Sequence, residues 1–584
     1  MPATPIHAIQ GAGRTSPLLS RSGTDPEVVV EAIVVGPASD TLEGLGGFFL
    51  QAEDAEADDD PRTSEGLFVF APAVETGIRP GDRVRVRGRV AEFFGLTELT
   101  GVSEVIPCPG RGRASPASID LPLDEESDWE RWEGMGVEFD QPLVVTGQRD
   151  IVRFGQITLS AGSRLEQPTQ REDPGEAAVT LAARNRRRSF LLDDGRHTVR
   201  PEPTPYLDRE DGGTLRLGDT LDRLEGVLGF SFGRYRVHPI RPPRFAPGPP
   251  RPLEPPAVGG SLRVIGWNVG NYMNGDGRGG GFPTRGPADP DELERQQAKL
   301  VETLIALDPD LGALIEVEND GTGPDSAIAR LLDELNARTP GRPYRLVEPD
   351  RPRLGVHPIA VGMFYRRDTL IPIGPPAILD ATAHPAFDDR RNRPGLAQSF
   401  RTLETDEPLT VVVNHFKSKG SDCDAVDDPD LGDGQGECNR TRTRAARALA
   451  EWLADDPTGG GDAPILILGD LNAYPAEDPL RILGSAGYSD LISGFADPGG
   501  YSFVFRGQAG RLDHALASAE LLPFVSGVGI WHVNADEAPA LDYRMDNPPE
   551  RFSADPFRAS DHDPVLVGLF PDTDGDGRAD PGEH

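Results

Sequence analysis

A short apolar run that stops abruptly at polar residues constrains this chain more than any other feature. Residues 465–468 are apolar throughout and are typical of a buried strand, and Gly469, Asp470, Leu471 and Asn472 follow directly. Because side chains alternate along a strand, Asp470 and Asn472 point to the same side. The sequence therefore predicts a carboxylate and a carboxamide side by side at a strand end, where they can orient a water molecule and bind a phosphate oxygen.

Other predicted strands or short segments carry polar residues of similar kinds. In chain order, these residues are Asn268, Glu316, Asn414 with His415, Asp513, and Asp561 with His562. Their types and order resemble the endonuclease/exonuclease/phosphatase superfamily, the DNase I-like fold. The run from Asn414 to Gly420, followed by an acidic loop with cysteines, is similar to the multidomain extracellular DNA endonucleases of bacteria. This resemblance covers about half of the chain strongly and most of the N-terminal half loosely.

The resemblance implies an α/β two-layered sandwich preceded by β-rich OB-like barrel modules. Alternating β patterns and Gly-Asp turns in the N-terminal half agree with such modules. We expect an OB-like β domain at 1–112, a second β-rich module at 113–242, a Pro-rich linker at 243–259, the DNase I-like domain at 260–570 and an acidic tail at 571–584.

The family pattern also assigns roles to the polar residues. Glu316 with Asn268 is expected to hold Mg²⁺ (or Mn²⁺), which needs few carboxylates, and Asp561 joins this metal site. His562 is expected to be the general base, oriented by Asp513. Asp470 and Asn472 position the water, and His415 acts as an acid or an electrostatic stabiliser across the phosphate. The expected substrate-binding residues are Arg393, Asn414, Lys417 and Lys419.

One position departs from the pattern. The extracellular DNA endonucleases usually carry an acidic residue just before the strand that starts near residue 359, but this chain has His357 there. If that acid supports His415, its replacement weakens the acid step, and activity is expected to persist with a shifted pH optimum.

The charge of the chain argues against one class of function. The formal net charge is -36, from 59 basic and 95 acidic residues. A protein that coats nucleic acid without cutting it needs a basic surface, so this class is disfavoured. A nuclease that makes a small, local, metal-assisted contact remains compatible with the charge, and two of the three lysines, Lys417 and Lys419, flank the His415 motif.

A row of arginines in the N-terminal half has two interpretations. Arg83, Arg85, Arg87 and Arg89 alternate along one predicted strand and share one face. The row could follow a phosphate backbone, or it could be a solvated face that offsets nearby acidic residues.

The cysteines bear on the cellular compartment of the protein. Cys423 and Cys438 bracket the acidic loop, and a disulfide between them would restrain that loop, as in extracellular proteins; the alternative is two free thiols. Cys108 is left without a partner. The N-terminus shows no basic region followed by an apolar core, so no signal peptide is apparent. We nevertheless expect an extracellular or cell-surface protein.

The C-terminal tail matches a calcium loop. Its acidic residues follow the EF-hand spacing, although no second helix can follow it. The expected Ca²⁺ ligands are Asp572, Asp574, Asp576, Asp580 and Glu583.

Taken together, these features predict a secreted, metal-dependent endonuclease with DNA as its substrate, without a membrane-spanning segment and monomeric. Two alternatives stay open. One is a phosphodiesterase or phosphatase of the same superfamily that acts on lipid or inositol headgroups. The other is a secreted binding protein with an inactive nuclease domain, which the complete set of polar residues disfavours.

Overall fold

The computed structural model describes residues 2–19, 26–36, 44–72, 77–275, 285–495 and 500–570. The chain forms two compact units, the first from residues 1–165 and 183–249 and the second from residues 166–182 and 250–584. No sequence pattern had marked residues 166–182 as part of the second unit. Within the described ranges, no helix combines the length and apolar character that crossing a bilayer requires.

The helices are few for a chain of this length. In chain order they are α1 (Ile6–Gln10), α2 (Ile151–Phe154), α3 (Pro168–Arg171), α4 (Glu176–Arg187), α5 (Pro290–Leu307), α6 (Ala327–Arg338), α7 (Asn439–Ala454), α8 (Asp478–Ser485) and α9 (Leu491–Phe495). Short 3₁₀ turns occur at Glu126–Trp132, Asp424–Val426, Leu522–Phe524, Pro539–Leu541 and Pro549–Arg551.

The strands before residue 250 are β1 (Glu27–Val35), β2 (Gly47–Gln51), β3 (Gly66–Phe70), β4 (Asp82–Phe93), β5 (Leu96–Arg111), β6 (Ala117–Ser118), β7 (Gly136–Phe139), β8 (Leu143–Gly147), β9 (Gln156–Ala161), β10 (Leu165–Glu166), β11 (Ser189–Asp193), β12 (Thr220–Leu221), β13 (Leu224–Ser231) and β14 (Arg234–Pro239). The first five close into a barrel in the order β1-β2-β3-β5-β4. This barrel is consistent with the OB-like module expected there.

The second β-rich module is an eight-stranded sheet in the order β12-β8-β9-β11-β14-β13-β7-β6. It is built largely from antiparallel pairs, such as β8 with β9 and β13 with β14. Antiparallel neighbours need only short connections, which fits the frequent turns that the sequence shows in this region.

The arginine row of β4 faces carboxylates of the same barrel. Val84, Val86 and Val90 point inward and are fully buried. Arg83 pairs with Glu31 at 3.0 Å, and Arg87 pairs with Glu27 at 2.8 Å. The solvated, charge-balanced face is therefore the interpretation that the structure supports for these residues.

The strands after residue 250 are β15 (Leu262–Tyr272), β16 (Leu311–Glu318), β17 (Tyr344–Leu346), β18 (Ile359–Arg366), β19 (Leu370–Leu379), β20 (Arg393–Thr402), β21 (Pro408–His415), β22 (Ile465–Asp470), β23 (Ser489–Asp490), β24 (Phe503–Phe505), β25 (Gln508–Gly510), β26 (Asp513–Ala517), β27 (Val525–Ile530) and β28 (Val565–Leu569). Two six-stranded sheets result, β17-β18-β16-β15-β28-β27 and β19-β20-β21-β22-β26-β23.

The two sheets pack face to face. Val264 and Leu311 of one sheet share an apolar core with Val411 and Leu466 of the other. Helices α5 and α6 cover the outer face of the first sheet, and α7 and α8 cover the outer face of the second. Both faces of each sheet are buried, which explains why the central strands are nearly continuous apolar runs. The predicted α/β sandwich is confirmed.

A buried acidic cluster lies in the first unit. Burial raises the pKa of Glu98 to about 7, and the negative charge of Glu92 adds to this shift. Burial and the neighbouring Glu130 likewise hold the pKa of Glu133 well above its usual range. Carboxyls of this kind are neutral in the folded state below their raised pKa, so ionising them opposes folding.

We predict that Glu98→Gln stabilises the first unit more at pH 8 than at pH 5. The pKa of Glu98 is higher in the folded state than in the unfolded state, so the free energy of unfolding of the wild type falls as the pH rises to about 7. Glutamine does not titrate, so the variant does not show this fall. The expected difference in the free energy of unfolding is up to about 3 kcal/mol, measured by urea unfolding at both pH values. Glu104→Gln, at an exposed position of the same strand, is the control. An equal effect of Glu98→Gln at both pH values would contradict this assignment.

The expected disulfide is present between Cys423 and Cys438, which are 15 residues apart. It closes the loop between β21 and α7, so the segment that follows His415 is tied to the start of a helix. Cys108 is a free cysteine in the first unit.

We predict that reduction lowers the free energy of unfolding of the second unit by about 3 kcal/mol, because a loop of this length gains that much chain entropy when it is released. Thermal unfolding with and without reductant measures the change. A Cys423→Ser/Cys438→Ser variant should match the reduced protein and ignore the reductant. An unchanged melting temperature, with loss of the bond verified by mass, would refute the prediction.

Candidate active site

The polar residues at the strand ends meet at one edge of the sandwich. Strands β15 and β16 are parallel, and so are β21 and β22, so their carboxyl ends share an edge within each sheet. Strand β26 runs antiparallel to β22 and places Asp513 opposite Asp470. His562 lies just before β28, which pairs with β15. Topology alone thus brings together residues that are far apart in the sequence.

The strongest contact in this group joins Asp513 to His562. The carboxylate Oδ2 of Asp513 lies 2.7 Å from Nδ1 of His562. The hydroxyl of Ser502 donates to the same oxygen at 2.6 Å, and the ring of Phe503 stacks on the imidazole with centroids 4.5 Å apart. The carboxylate and the stacked ring fix the imidazole orientation and leave Nε2 as the atom that can exchange a proton.

Asp470 adjoins this pair. Its Oδ2 accepts a hydrogen bond from Asn268 Nδ2 at 3.1 Å, and its Oδ1 accepts one from the backbone N–H of Asn472 at 2.9 Å. Ligand atoms of Asp470, Asp513 and His562 all lie within 4.8 Å of one another. The side chain of Asn472, in the left-handed conformation at φ 47°, donates to Phe416 O at 3.1 Å. Strand β22 ends at Asp470, so Asn472 adjoins the carboxylate through its backbone N–H and not through the strand alternation that the sequence predicts.

Concentrated negative charge sets the protonation of these groups. Burial alone would lower the pKa of His562, but the carboxylate of Asp513, and after it Asp561 and Asp470, outweigh burial and raise it well above its usual range. Burial and the charge of Asp513 raise the pKa of Asp470. The surroundings thus favour added positive charge, whether a proton or a cation.

Glu316 leaves the apolar core at an irregularity of its strand. The register between β16 and β18 shifts between Ile315 and Val317, and Glu316 has φ 67°. A bulge of this kind redirects one side chain without ending the strand. The carboxylate is 16% exposed and lies 3.8 Å from Nε2 of His415. This geometry explains how a glutamate can occupy an otherwise apolar strand.

The residues predicted for the metal are oxygen donors, whereas the described ligand atoms close enough together to hold a metal ion include Asp470, Asp513 and His562. Burial, and then the charge of Asp561, raise the pKa of Glu316 and so oppose its ionisation. A bound cation would offset both effects and favour the ionised carboxylate. Asp561 is exposed beside it, and Asn268 is fully buried with its side-chain oxygen bonded to Gly270 N–H at 3.1 Å. Hard oxygen donors with room for water are what Mg²⁺ and Mn²⁺ prefer.

His415 has the opposite character to His562. Burial, and then the charges of Arg393 and His562, hold its pKa well below the usual range. Asp470 Oδ2 lies 3.6 Å from Nε2 of His415, beyond hydrogen-bond distance, and the lowering causes outweigh its attraction. The ring is neutral near pH 7, and among the described residues its Nδ1 has no hydrogen-bond partner. Such a ring can donate a hydrogen bond to a phosphate oxygen without carrying charge.

Basic residues line the His415 side. Arg393 pairs with His415 across β20 and β21, is 7% exposed and donates to Phe416 O at 2.9 Å. Burial, and then the charge of Arg393, lower the pKa of His357, and Lys417 and Arg285 lower it further. Burial and Arg393 lower the pKa of Lys417 to about 8. This side of the site therefore carries local positive potential on a strongly acidic chain.

Two predicted substrate contacts lie elsewhere. Lys419 donates to Gln435 O at 2.7 Å and to Oε2 of the fully buried Glu477 at 2.6 Å, so its ammonium is bound inside the protein. Asn414 is 1% exposed and, by strand alternation, faces away from His415. The structure therefore brings together the catalytic and metal candidates with Arg393 and Lys417, and places Lys419 and Asn414 outside that group.

The sequence does not mark Ser502 and Phe503 as functional residues, because no spacing or motif distinguishes them from other residues at the start of a short strand. Their role emerges only from the hairpin that β24 and β25 form beside Asp513. The five predicted calcium ligands of the tail lie outside the described residues.

Comparison with known proteins identifies two family models. The model described as the Endonuclease/Exonuclease/phosphatase family matches residues 265–562. A second model, described as a domain of unknown function (DUF8508), matches residues 127–246. None of the curated proteins matches the chain.

Several solved structures are similar to about half of the chain. The human Nocturnin catalytic domain is 16% identical over 52% of this chain and 93% of that chain, with a TM-score of 0.33. A Bacteroides thetaiotaomicron mannosyl-6-phosphatase is 16% identical over 53% and 99%, with a TM-score of 0.33. D. rerio TDP2 in complex with a single-strand DNA product is 14% identical over 52% and 97%, also with a TM-score of 0.33.

We predict that Glu316→Gln weakens Mn²⁺ binding at least tenfold, because it removes the ionised carboxylate of the metal candidates. Isothermal titration calorimetry with Mn²⁺ measures the Kd. Asp333→Asn, at an exposed position of α6 on the outer layer, serves as the control and should bind as the wild type does. Equal affinities for Glu316→Gln and the wild type would rule out this metal site.

Proposed function

We propose that this chain, which belongs to the Endonuclease/Exonuclease/phosphatase family, is a metal-dependent endonuclease that hydrolyses phosphodiester bonds of DNA. The observation that carries the proposal is the buried Asp513–His562 pair, with a 2.7 Å contact, beside Asp470 and Glu316. A base, a water-orienting carboxylate and a metal-binding carboxylate are the groups that hydrolysis of a phosphate ester needs.

His562 acts as the general base in this proposal. Asp513 holds the ring through Nδ1, so Nε2 faces the water that attacks phosphorus, and Asp470 accepts a second hydrogen bond from that water. In the absence of other cations the acidic surroundings keep His562 protonated. A general base must be neutral, and a cation held by Glu316 would favour the neutral ring of His562.

The His415 side binds the phosphate. Arg393 and Lys417 supply positive charge, and the neutral ring of His415 donates a hydrogen bond to a non-bridging oxygen as charge accumulates there. This assignment uses His415 as a hydrogen-bond donor, since its low pKa makes a cationic acid unfavourable. His357 occupies the position where an acidic residue is expected, so that position supplies no carboxylate to the ring of His415.

A bound metal would contribute Lewis-acid chemistry to the proposed reaction. A divalent ion bound by Glu316, Asn268 and Asp561 supplies Lewis-acid stabilisation of negative charge on the phosphate and the leaving oxygen. The chain's own task at this position is to present the carboxylate from the bulge of β16 and to hold Asn268 in place through the Asp470 and Gly270 contacts.

Two features support DNA and an extracellular location. The local positive potential near Arg393 contrasts with the net charge of -36, so a polyanion is attracted only at the site. The Cys423–Cys438 disulfide is suited to an oxidising compartment, which supports a secreted or cell-surface protein.

We predict that His562→Ala lowers the rate of plasmid DNA cleavage in Mg²⁺ by at least about 10²-fold, the usual cost of losing a general base. Asp513→Asn should lower it less, because the ring remains but loses its orientation. Agarose-gel assays of supercoiled plasmid measure both rates. His384→Ala is the matched control, since His384 also contacts a carboxylate, Glu451 at 2.9 Å, but lies on the outer layer.

The alternatives give different outcomes in the same assay. Cleavage of sphingomyelin or phosphoinositides with no cleavage of plasmid would replace DNA by a lipid headgroup as the substrate. Binding of DNA without any hydrolysis would identify an inactive domain. Plasmid cleavage by His562→Ala at the wild-type rate would mean that the assigned base is wrong.

A further inference from the structure

Helix α3 and the residues beside it come from far upstream, yet they contact the segments that carry the active-site residues. The segment 166–182 belongs to the second unit although residues 183–249, which follow it, belong to the first. Gln167 N–H donates to Ala509 O at 2.8 Å, on the hairpin of β24 and β25. The contact is a backbone hydrogen bond, so it fixes the position of the main chain there.

Gln170 bridges the two chain segments that deliver Ser502 and Asp513. Its Oε1 accepts from Arg511 N–H at 2.9 Å, and its Nε2 donates to Gly500 O at 3.1 Å. Gly500 and Arg511 each lie two residues before Ser502 and Asp513, respectively. Gln170 is 5% exposed, so both ends of its amide depend on these partners. The side chain of Gln170 therefore links the two chain segments that lead to the 2.6 Å contact between Ser502 and Asp513.

Thr169 contacts the segment that follows Asp470 and Asn472. Its carbonyl accepts from Ala476 N–H at 3.1 Å, and its hydroxyl donates to Glu477 Oε1 at 2.7 Å. Glu477 also binds Lys419, in the segment that follows His415. The same short stretch therefore joins chain segments adjacent to Asp470, His415 and Asp513.

We propose that Gln170 is a positioning residue for the Asp513–His562 pair, and that residues 166–182 are a working part of the catalytic unit. This inference rests on the proposed function, because it concerns the geometry of the same reaction. A catalytic group displaced by about 1 Å can lose about 100-fold in rate. Gln170 restrains the segments just before β24 and just after β25 without touching the reacting atoms, so its loss should change turnover and leave substrate binding alone.

The test compares Gln170→Met with the wild-type full chain. Methionine has a similar length but cannot accept from Arg511 N–H or donate to Gly500 O. We expect kcat to fall roughly 10- to 100-fold, with KM within about twofold, for plasmid DNA and for bis(p-nitrophenyl) phosphate alike. Hydrogen exchange of a peptide covering residues 500–513 should accelerate in the same variant.

Two further variants separate positioning from general destabilisation. Gln398→Met removes another buried glutamine, which donates to Ile373 O at 3.1 Å and Ser399 O at 2.8 Å in the second sheet. It should lower the melting temperature while kcat stays within about twofold. Gln170→Glu keeps the acceptor for Arg511 N–H, so its kcat should lie between those of Gln170→Met and the wild type. If Gln170→Met does not fold, Gln170→Glu is compared with the wild type instead.

The outcomes are distinct. A fall in kcat for Gln170→Met that Gln398→Met does not share, with faster exchange at 500–513, supports the inference. An unchanged kcat, or an equal fall in both variants, overturns it. Wild-type hydrolysis of the small diester without cleavage of DNA would refute the DNA proposal while still deciding the role of Gln170. If the wild type hydrolyses neither substrate, the proposed function fails, and unchanged exchange at 500–513 would refute the positioning role as well.

Discussion

The structure of the second unit depends on one constraint: several carboxylates are held together in a place where water is largely excluded. Asp470 and Asp513 are 3% and 2% exposed, and their ligand atoms lie within 4.8 Å of each other and of His562. Like charges so close together repel, which is why the pKa of Asp470 is raised and His562 binds a proton firmly. The fold keeps this arrangement only because each carboxylate is bonded on its other side, to Asn268, to Asn472 N–H and to Ser502.

The residues around these carboxylates add further charged and hydrogen-bonding groups to the candidate site. Glu316 reaches the site from a bulge, and Asn472 adopts a left-handed backbone, so both depart from regular strand geometry at the point where the chemistry is expected. On the opposite side, Arg393, Lys417 and a neutral His415 offer positive potential and a hydrogen bond. In the function that we propose, the carboxylates would attract a metal, and the neighbouring basic residues would attract the phosphate of the substrate.

The sequence predicts the sandwich well, because the sandwich depends on local patterns. Apolar runs such as residues 465–468 mark buried strands, and the polar residues that end them mark an edge. The sequence does not reveal contacts that depend on folding over long distances. Ser502 and Phe503 lie where the short strand β24 begins, and Gln170 lies more than 300 residues from Arg511 and Gly500. Lys419 shows the converse: its motif predicts a phosphate contact, but Glu477, distant in sequence, binds the ammonium.

The central claim of the proposed function is that a metal binds at Glu316 and that the scissile phosphate binds between His415 and His562. The most direct test is a crystal structure of the His562→Ala variant with Mn²⁺ and a short DNA duplex. The account predicts an anomalous Mn²⁺ signal at Glu316 and a backbone phosphate between His415 and position 562, in contact with Arg393. Mn²⁺ bound elsewhere, or DNA seated away from the edge formed by β15, β16, β21 and β22, would contradict it.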